Sequence, residues 1–258
     1  MIFVSLASIL CVVTAYSLRG NALENGTISV SGFNGISVVA AFVLFLGVAV
    51  IAGPEFGIPL IAALLLHELG QVLAYRMLGH NRARFRLLLA LSKQKISDEP
   101  LTSDTEEFFT SIMGPAFCLG PMALAMAIAT MLAPVAPVSA HSFWIFAVTC
   151  GAVNFLSLLP FWPLAGARCA RAASISFWPA LAPAMAAFMS AAMMTASFRT
   201  GSVILMVMAA VGAHSMWRQR ASGLTPMEPD VGLIALAAYT FTLAAHFSAG
   251  WMLFEAYF

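Results

Sequence analysis

The sequence predicts an all-α polytopic membrane protein with about eight transmembrane helices, and three observations predict it. Hydrophobic residues fill 61% of the 258 positions and charged residues 9%, against roughly 25% charged in soluble domains. Apolar runs of about 20 residues, the length that crosses a bilayer, recur along the chain. The basic residues fall into alternate connections between those runs. A formal net charge of +1 gives no reason to expect nucleic acid or an acidic soluble substrate, so the lipid bilayer is the first partner the composition implies.

In chain order, spans are expected near 2–18, 34–53, 58–78, 108–133, 142–160, 177–197, 201–217 and 231–253. The first has no basic n-region and no clear small-x-small cleavage site, so it reads as a retained span and not as a leader. The third carries a histidine and a glutamate in its middle. The fourth contains Gly114 and Pro115, which are expected to break its helix. The fifth ends at Pro160, with Pro163 following. Around Arg199 and Gly201, the sixth and seventh read either as a hairpin of two short helices or as one broken segment. The chain thus divides into N-terminal helices (1–57), a core (58–171) and C-terminal helices (172–258).

Orientation follows from the basic residues. With the N-terminus outside, eleven of the twelve Lys and Arg residues are cytoplasmic and Arg199 alone is outside, as the positive-inside rule favours. Eight spans then place both termini outside the cytoplasmic (inner) membrane. The longest polar stretch, His80 to Glu107, begins basic and ends acidic. Its apolar part, Phe85 to Leu91, either lies against the membrane or forms a short strand meeting another extended segment, or the whole stretch is a solvated loop. The four cysteines, Cys11, Cys118, Cys150 and Cys169, lack C-x-x-C spacing, and three lie in apolar runs. They read as small hydrophobes, with neither a disulfide framework nor a cysteine metal site.

The chemistry concentrates in the third span, where Leu64 to Leu78 reads LLLHELGQVLAYRML. A zinc-protease helix places histidines at i and i+4 with a glutamate between them, so that one face holds the metal and the glutamate activates its water. His67 and Glu68 are present; position 71 is Gln. Glu68 is also the one acidic residue deep in a span, where an ionisable group costs several kcal/mol unless it meets a cavity or a partner. A structural Glu-His or Glu-Arg pair is the plain alternative to a functional role. Two further segments, SIMGPAF around Gly114–Pro115 and SLLPFWPLAG from Ser157 to Gly166, are ordinary helix kinks taken singly.

In this order the three segments resemble the site-2 protease family of intramembrane zinc metalloproteases: HELGQ is similar to its HExxH helix, the Gly-Pro to its AGP-type motif, and SLLPFWPLAG to its N-x-x-P-x-x-P-L-D-G segment. The resemblance covers Ile58 to Arg168. It implies that His67 corresponds to the first zinc ligand and Glu68 to the general base. Gln71 stands at the second histidine, Ala165 at the aspartate ligand and Ser157 at the motif asparagine, with Asn154 one turn earlier as a stand-in. Gly114, Pro115, Pro160, Pro163 and Gly166 keep the shape of a groove for a transmembrane helix, with Gly120 a further small residue there.

Two of three protein ligands are thus absent. A catalytic zinc site takes three and an open fourth position, and without the metal nothing brings the pKa of water from about 15.7 towards 7. His80, His141, His214 and His246 lack metal-ligand spacing to His67 and read as capping, interfacial or helix-pairing residues. The leading expectation is therefore a pseudoprotease that binds a transmembrane helix or a membrane complex without cleaving it and uses no cofactor. A working intramembrane metalloendopeptidase with an atypical or inactivated site, which would need zinc, is the alternative. A proton or cation transporter with Glu68 as relay is a third class.

Overall fold

The computed structural model describes residues 2–22, 29–31, 53–86, 96–218 and 223–257, with isolated positions between 39 and 50. The expected span at 34–53 and the basic residues at 93, 95 and 220 lie outside the described residues. Among those described there are eight α-helices: α1 (Ile2–Ala22), α2 (Gly57–Met77), α3 (Asp104–Leu132), α4 (Pro137–Ser157), α5 (Ala165–Ser174), α6 (Leu181–Thr200), α7 (Val203–Arg218) and α8 (Pro229–Tyr257). Five stretches, Pro54–Met77, Asp104–Leu132, Pro137–Ser157, Leu181–Thr200 and Pro229–Met252, are long and apolar enough to cross a membrane. Shorter apolar stretches, Val4–Thr14 and Val203–Met216, lie in α1 and α7. The protein is an all-α integral membrane protein.

Two three-residue strands, β1 (Ser29–Ser31) and β2 (Arg84–Arg86), pair in parallel with Val30 opposite Phe85. The amide of Arg84 also donates to the Ile96 carbonyl at 2.8 Å, so β2 is bonded on both edges. At the start of the His80–Glu107 stretch Arg84–Arg86 forms this short strand, while most of the apolar part expected to meet the membrane or a strand, 87–91, lies outside the described residues. His80 is buried there, with Nδ1 2.8 Å from the Ser97 hydroxyl.

Gly114 and Pro115 do not break their helix. α3 runs unbroken from Asp104 to Leu132 with Pro115 and Pro121 inside it, and the Pro115 carbonyl accepts a hydrogen bond from Nε2 of the buried His246 at 3.0 Å. Backbone irregularity at a proline is tolerated in lipid where a neighbouring side chain supplies such a bond. Gly201 takes the left-handed conformation (φ 69°) and its amide caps α6 by donating to Ser197. A residue without Cβ suits that turn, and α6 and α7 pack on each other as a hairpin.

The chain forms two compact units. One comprises Met1–Pro100, Met113–Phe155 and Ala244–Phe258, the other Leu101–Ile112 and Leu156–Leu243. The first packs around Ala63, Cys118, Ala125, Ala147, Cys150 and Ala249. Small side chains suit a membrane interior, where helices associate by close backbone approach. A Cβ on Gly151 would lie 2.7 Å from that of Ala249, so α4 and α8 touch nearly backbone to backbone.

In the second unit Arg171 is largely buried and bridges Asp104, at 2.8 Å, and Glu107 in the first turn of α3. Acidic residues at a helix N-terminus are favoured by the helix dipole, and Arg171 balances the burial of two of them. The amide of Asp104 donates to Thr225 and that of Thr225 to Thr102, at 2.9 and 3.2 Å. Behind α5, Ala172, Ala173, Met227 and Ala235 form a small core.

Burial pushes the Cys169 thiol, on α5, from 9.0 up to about 12, with Arg168 a smaller opposing influence. The raised value favours the folded state below pH 9, and that contribution is lost as pH rises beyond it. Cys169 is expected to resist maleimide at pH 8 until the chain is unfolded, as mass spectrometry of alkylated protein will show. Rapid labelling of the folded protein at this residue would contradict its burial.

Candidate functional site

The site is built where α2 and α3 cross in the first unit. A Cβ on Gly70 of α2 would stand 2.4 Å from the Met113 carbonyl oxygen of α3, and one on Gly114 of α3 would stand 2.7 Å from Nε2 of His67 on α2. Each helix therefore presents a glycine to the other. The crossing seals His67, Glu68, Gln71 and Asn154, all at most 4% exposed. An unpaired polar group at such burial is strongly unfavourable, so the partners of these four residues decide what the site is.

His67 is held at both ring nitrogens. Nδ1 lies 2.7 Å from Oδ1 of Asn154, and Nε2 lies 3.3 Å from Nε2 of Gln71. An amide nitrogen only donates, so His67 Nε2 accepts and its proton sits on Nδ1, donated to Asn154. The amide orientations agree with this. Gln71 Oε1 accepts from Arg86 Nη2 at 3.3 Å, and Asn154 Nδ2 donates to the Cys150 carbonyl at 2.9 Å; flipping either amide would set donor against donor or acceptor against acceptor.

Glu68 is held by one residue. Arg86, from β2, donates Nε to Oε1 at 2.7 Å and Nη2 to Oε2 at 3.1 Å, while its backbone amide reaches Oε1 at 3.0 Å. The fork-to-carboxylate arrangement is the strong, directional form of an ion pair, and the side chains are only 1% (Glu68) and 15% (Arg86) exposed. Asn154, Gln71, His67, Glu68 and Arg86 thus form one continuous hydrogen-bonded chain.

The residues of the proline-rich segment belong to the second unit, apart from Asn154. Ser157 ends α4, half-buried; Pro160 is buried and Pro163 exposed in the turn that follows. Ala165 opens α5, buried and with no donor of its own. A Cβ on Gly166 would meet the Leu158 carbonyl oxygen at 1.9 Å, and the buried Tyr239 hydroxyl donates to the same oxygen at 2.7 Å. The segment folds back on its own last helical turn. Of the residues assigned to the groove, Gly114 packs against His67 and Gly166 against the Leu158 carbonyl, while Gly120 faces Cys11. The small residues here serve closure of each unit. An apolar cavity of about 590 Å³ does open between α2, α3 and α4, lined among others by Ile58, Pro59, Leu124 and Phe146, with Glu55 and His141 also on its wall.

Arg86 is the residue that sequence reasoning missed: it had been counted only as one of the basic charges that orient the chain. Cys150, read as a small hydrophobe, lies 3.5 Å through Sγ from Asn154 Nδ2.

The zinc that the site-2 protease resemblance implies can be tested against these groups. The set consists of one imidazole whose Nε2 already accepts from Gln71, two amides and a carboxylate bound at both oxygens by Arg86. Among the described residues no group of three His, Cys, Asp or Glu side chains is placed to hold a metal; His214 is exposed on α7, and His141 is exposed beside Trp144. Amides are poor substitutes for imidazole and carboxylate, so the residues present do not fit zinc. No family model, curated protein or solved structure matches the chain.

Proposed function

We propose that the protein is a site-2 protease-like pseudoprotease of the cytoplasmic membrane that binds the transmembrane helix of another membrane protein, or a membrane complex, without cleaving it. The observation that carries this reading is the pairing of His67 with Gln71 and of Glu68 with Arg86. Water activation by a metalloprotease requires a ligand set and a base free to take a proton; here the imidazole acceptor faces an amide and the carboxylate faces a guanidinium. Ala165, at the position of the third ligand, has nothing to coordinate with. Both termini outside and the basic loops in the cytoplasm complete the reading.

The partner helix is assigned to the apolar cavity between α2, α3 and α4. Pockets of roughly 300–1,000 Å³ take up drug-sized groups, and this one accepts the large side chains along one face of a helix. The same pairing of Glu68 tells against a proton relay, since both oxygens of the carboxylate are already engaged by Arg86.

The test combines metal analysis, cleavage and crosslinking on the full chain in membranes. Zinc well below one equivalent, no cleavage of single-pass reporter proteins, and photocrosslinks from Ile58 and Leu124 to the helix of a membrane protein are expected. Stoichiometric zinc or cleavage by the unaltered chain would overturn the reading in favour of a protease with an atypical site. Restoring Gln71→His with Ala165→Asp gives the reference for what a ligand-complete chain does in the same assays. Proton-coupled flux abolished by Glu68→Gln would instead favour the transporter.

A further inference from the structure

We propose that the buried polar centre of the first unit is a cation site that the protein fills from within: Arg86 supplies, from β2, the positive charge that the donors on α2 are arranged to receive. Three oxygens from two residues less than one helical turn apart, Oε1 and Oε2 of Glu68 and Oε1 of Gln71, converge on one guanidinium. The carboxylate is fully buried, and a buried carboxylate needs a positive partner or must give up its charge. No basic residue of α2 answers it. The charge arrives from a strand 18 residues later in the chain, and the strand's own amide donates to the same carboxylate, which fixes the register that delivers the guanidinium.

Ordinary surface pairing accounts for Arg84 and Asp98 next door, which meet at 2.9 Å with side chains 42% and 71% exposed. Arg86 differs in burial, in its forked contact and in reaching Gln71 as well. Gln71 then has a definite task. With its Oε1 drawn to Arg86, its amide is turned to occupy Nε2 of His67, so the cation and the imidazole are settled by one side chain. With Arg86 in place, the oxygens that could hold a metal ion are already engaged by a positive charge. The inference rests on the geometry of the first unit and stands whether or not the chain binds a partner helix.

Arg86→Ala removes the internal cation and leaves the oxygens. In purified full-length protein the variant is expected to melt at lower temperature than the unaltered chain. Cobalt(II) chloride, used as probe, is expected to raise its melting temperature by about 5 °C or more and to give a ligand-field absorption. The unaltered chain and the double variant Arg86→Ala, Glu68→Gln are expected to show neither response. Absence of a cobalt response in folded Arg86→Ala, or an equal response in the unaltered chain or the double variant, would overturn the proposal. Should Arg86→Ala alone fail to fold, the double variant, which removes both charges, is expected to recover folded protein; its failure to do so would overturn the proposal equally. None of these readouts depends on cleavage or on a crosslinked partner, so they separate this inference from the pseudoprotease reading.

Discussion

Glu68→Ala is expected to lower the stability of the protein by about 3–5 kcal/mol, the usual consequence of removing one member of a buried ion pair. Substitution removes the carboxylate that balances the Arg86 guanidinium, whose side chain is only 15% exposed, and takes away the acceptor that holds the amide end of β2. Thermal melting in detergent will measure the loss, and a double-mutant cycle with Arg86→Ala should return a coupling energy that is a large part of it. A loss below about 1 kcal/mol, typical of an exposed pair, would mean that the two charges do not meet as described.

Gly166→Ala is expected to be comparably severe for a different reason. The added methyl would stand 1.9 Å from the Leu158 carbonyl oxygen and 2.4 Å from that of Leu159, and both are backbone atoms of the turn that follows α4. Overpacking typically costs 1–3 kcal/mol where side chains can give way; where only backbone can move, about 3 kcal/mol or more is expected. Gly114→Ala makes a useful contrast, because its methyl meets the ring of His67 at 2.7 Å, a side chain that can swing aside at the expense of its bonds to Asn154 and Gln71. A Gly166→Ala protein that melts within a degree of the unaltered chain would show that the turn is looser than described.

The helices were legible in the sequence because membrane spans are written in length and hydropathy, which no tertiary context is needed to read. Every expected span outside 34–53 falls on a helix. The helix α5 was not anticipated: ten residues with two arginines fail the length and charge criteria for a span. Its signal was nevertheless present, since small residues fill every position but Arg168 and Arg171, three apart on one face, and those eight small residues are the ones buried. The proline in α3 misled because local propensity alone predicts a break, whereas the bond from His246, 131 residues away, is a tertiary contact.

Within the site, His67 and Glu68 announce themselves in the sequence as an imidazole and a carboxylate in an apolar run, and the structure buries them beside Asn154. Their partner does not announce itself. Glu68 demanded a cation, yet eleven of the twelve basic residues were equally accounted for by membrane orientation, and nothing local distinguishes Arg86 from Arg82 or Arg84. It reaches Glu68 from the end of a strand paired with Ser29–Ser31, a tertiary placement.

The continuous chain of bonds from Asn154 to Arg86 also governs how this sequence is able to change. Each member answers to its neighbours, so a substitution at any one of them takes a hydrogen-bond partner from another buried group, and single steps away from the arrangement are expected to cost stability. Departure requires two replacements together, as with Glu68 and Arg86 both made neutral. Such a centre is kept by its own internal consistency, with no demand from chemistry needed to hold it in place.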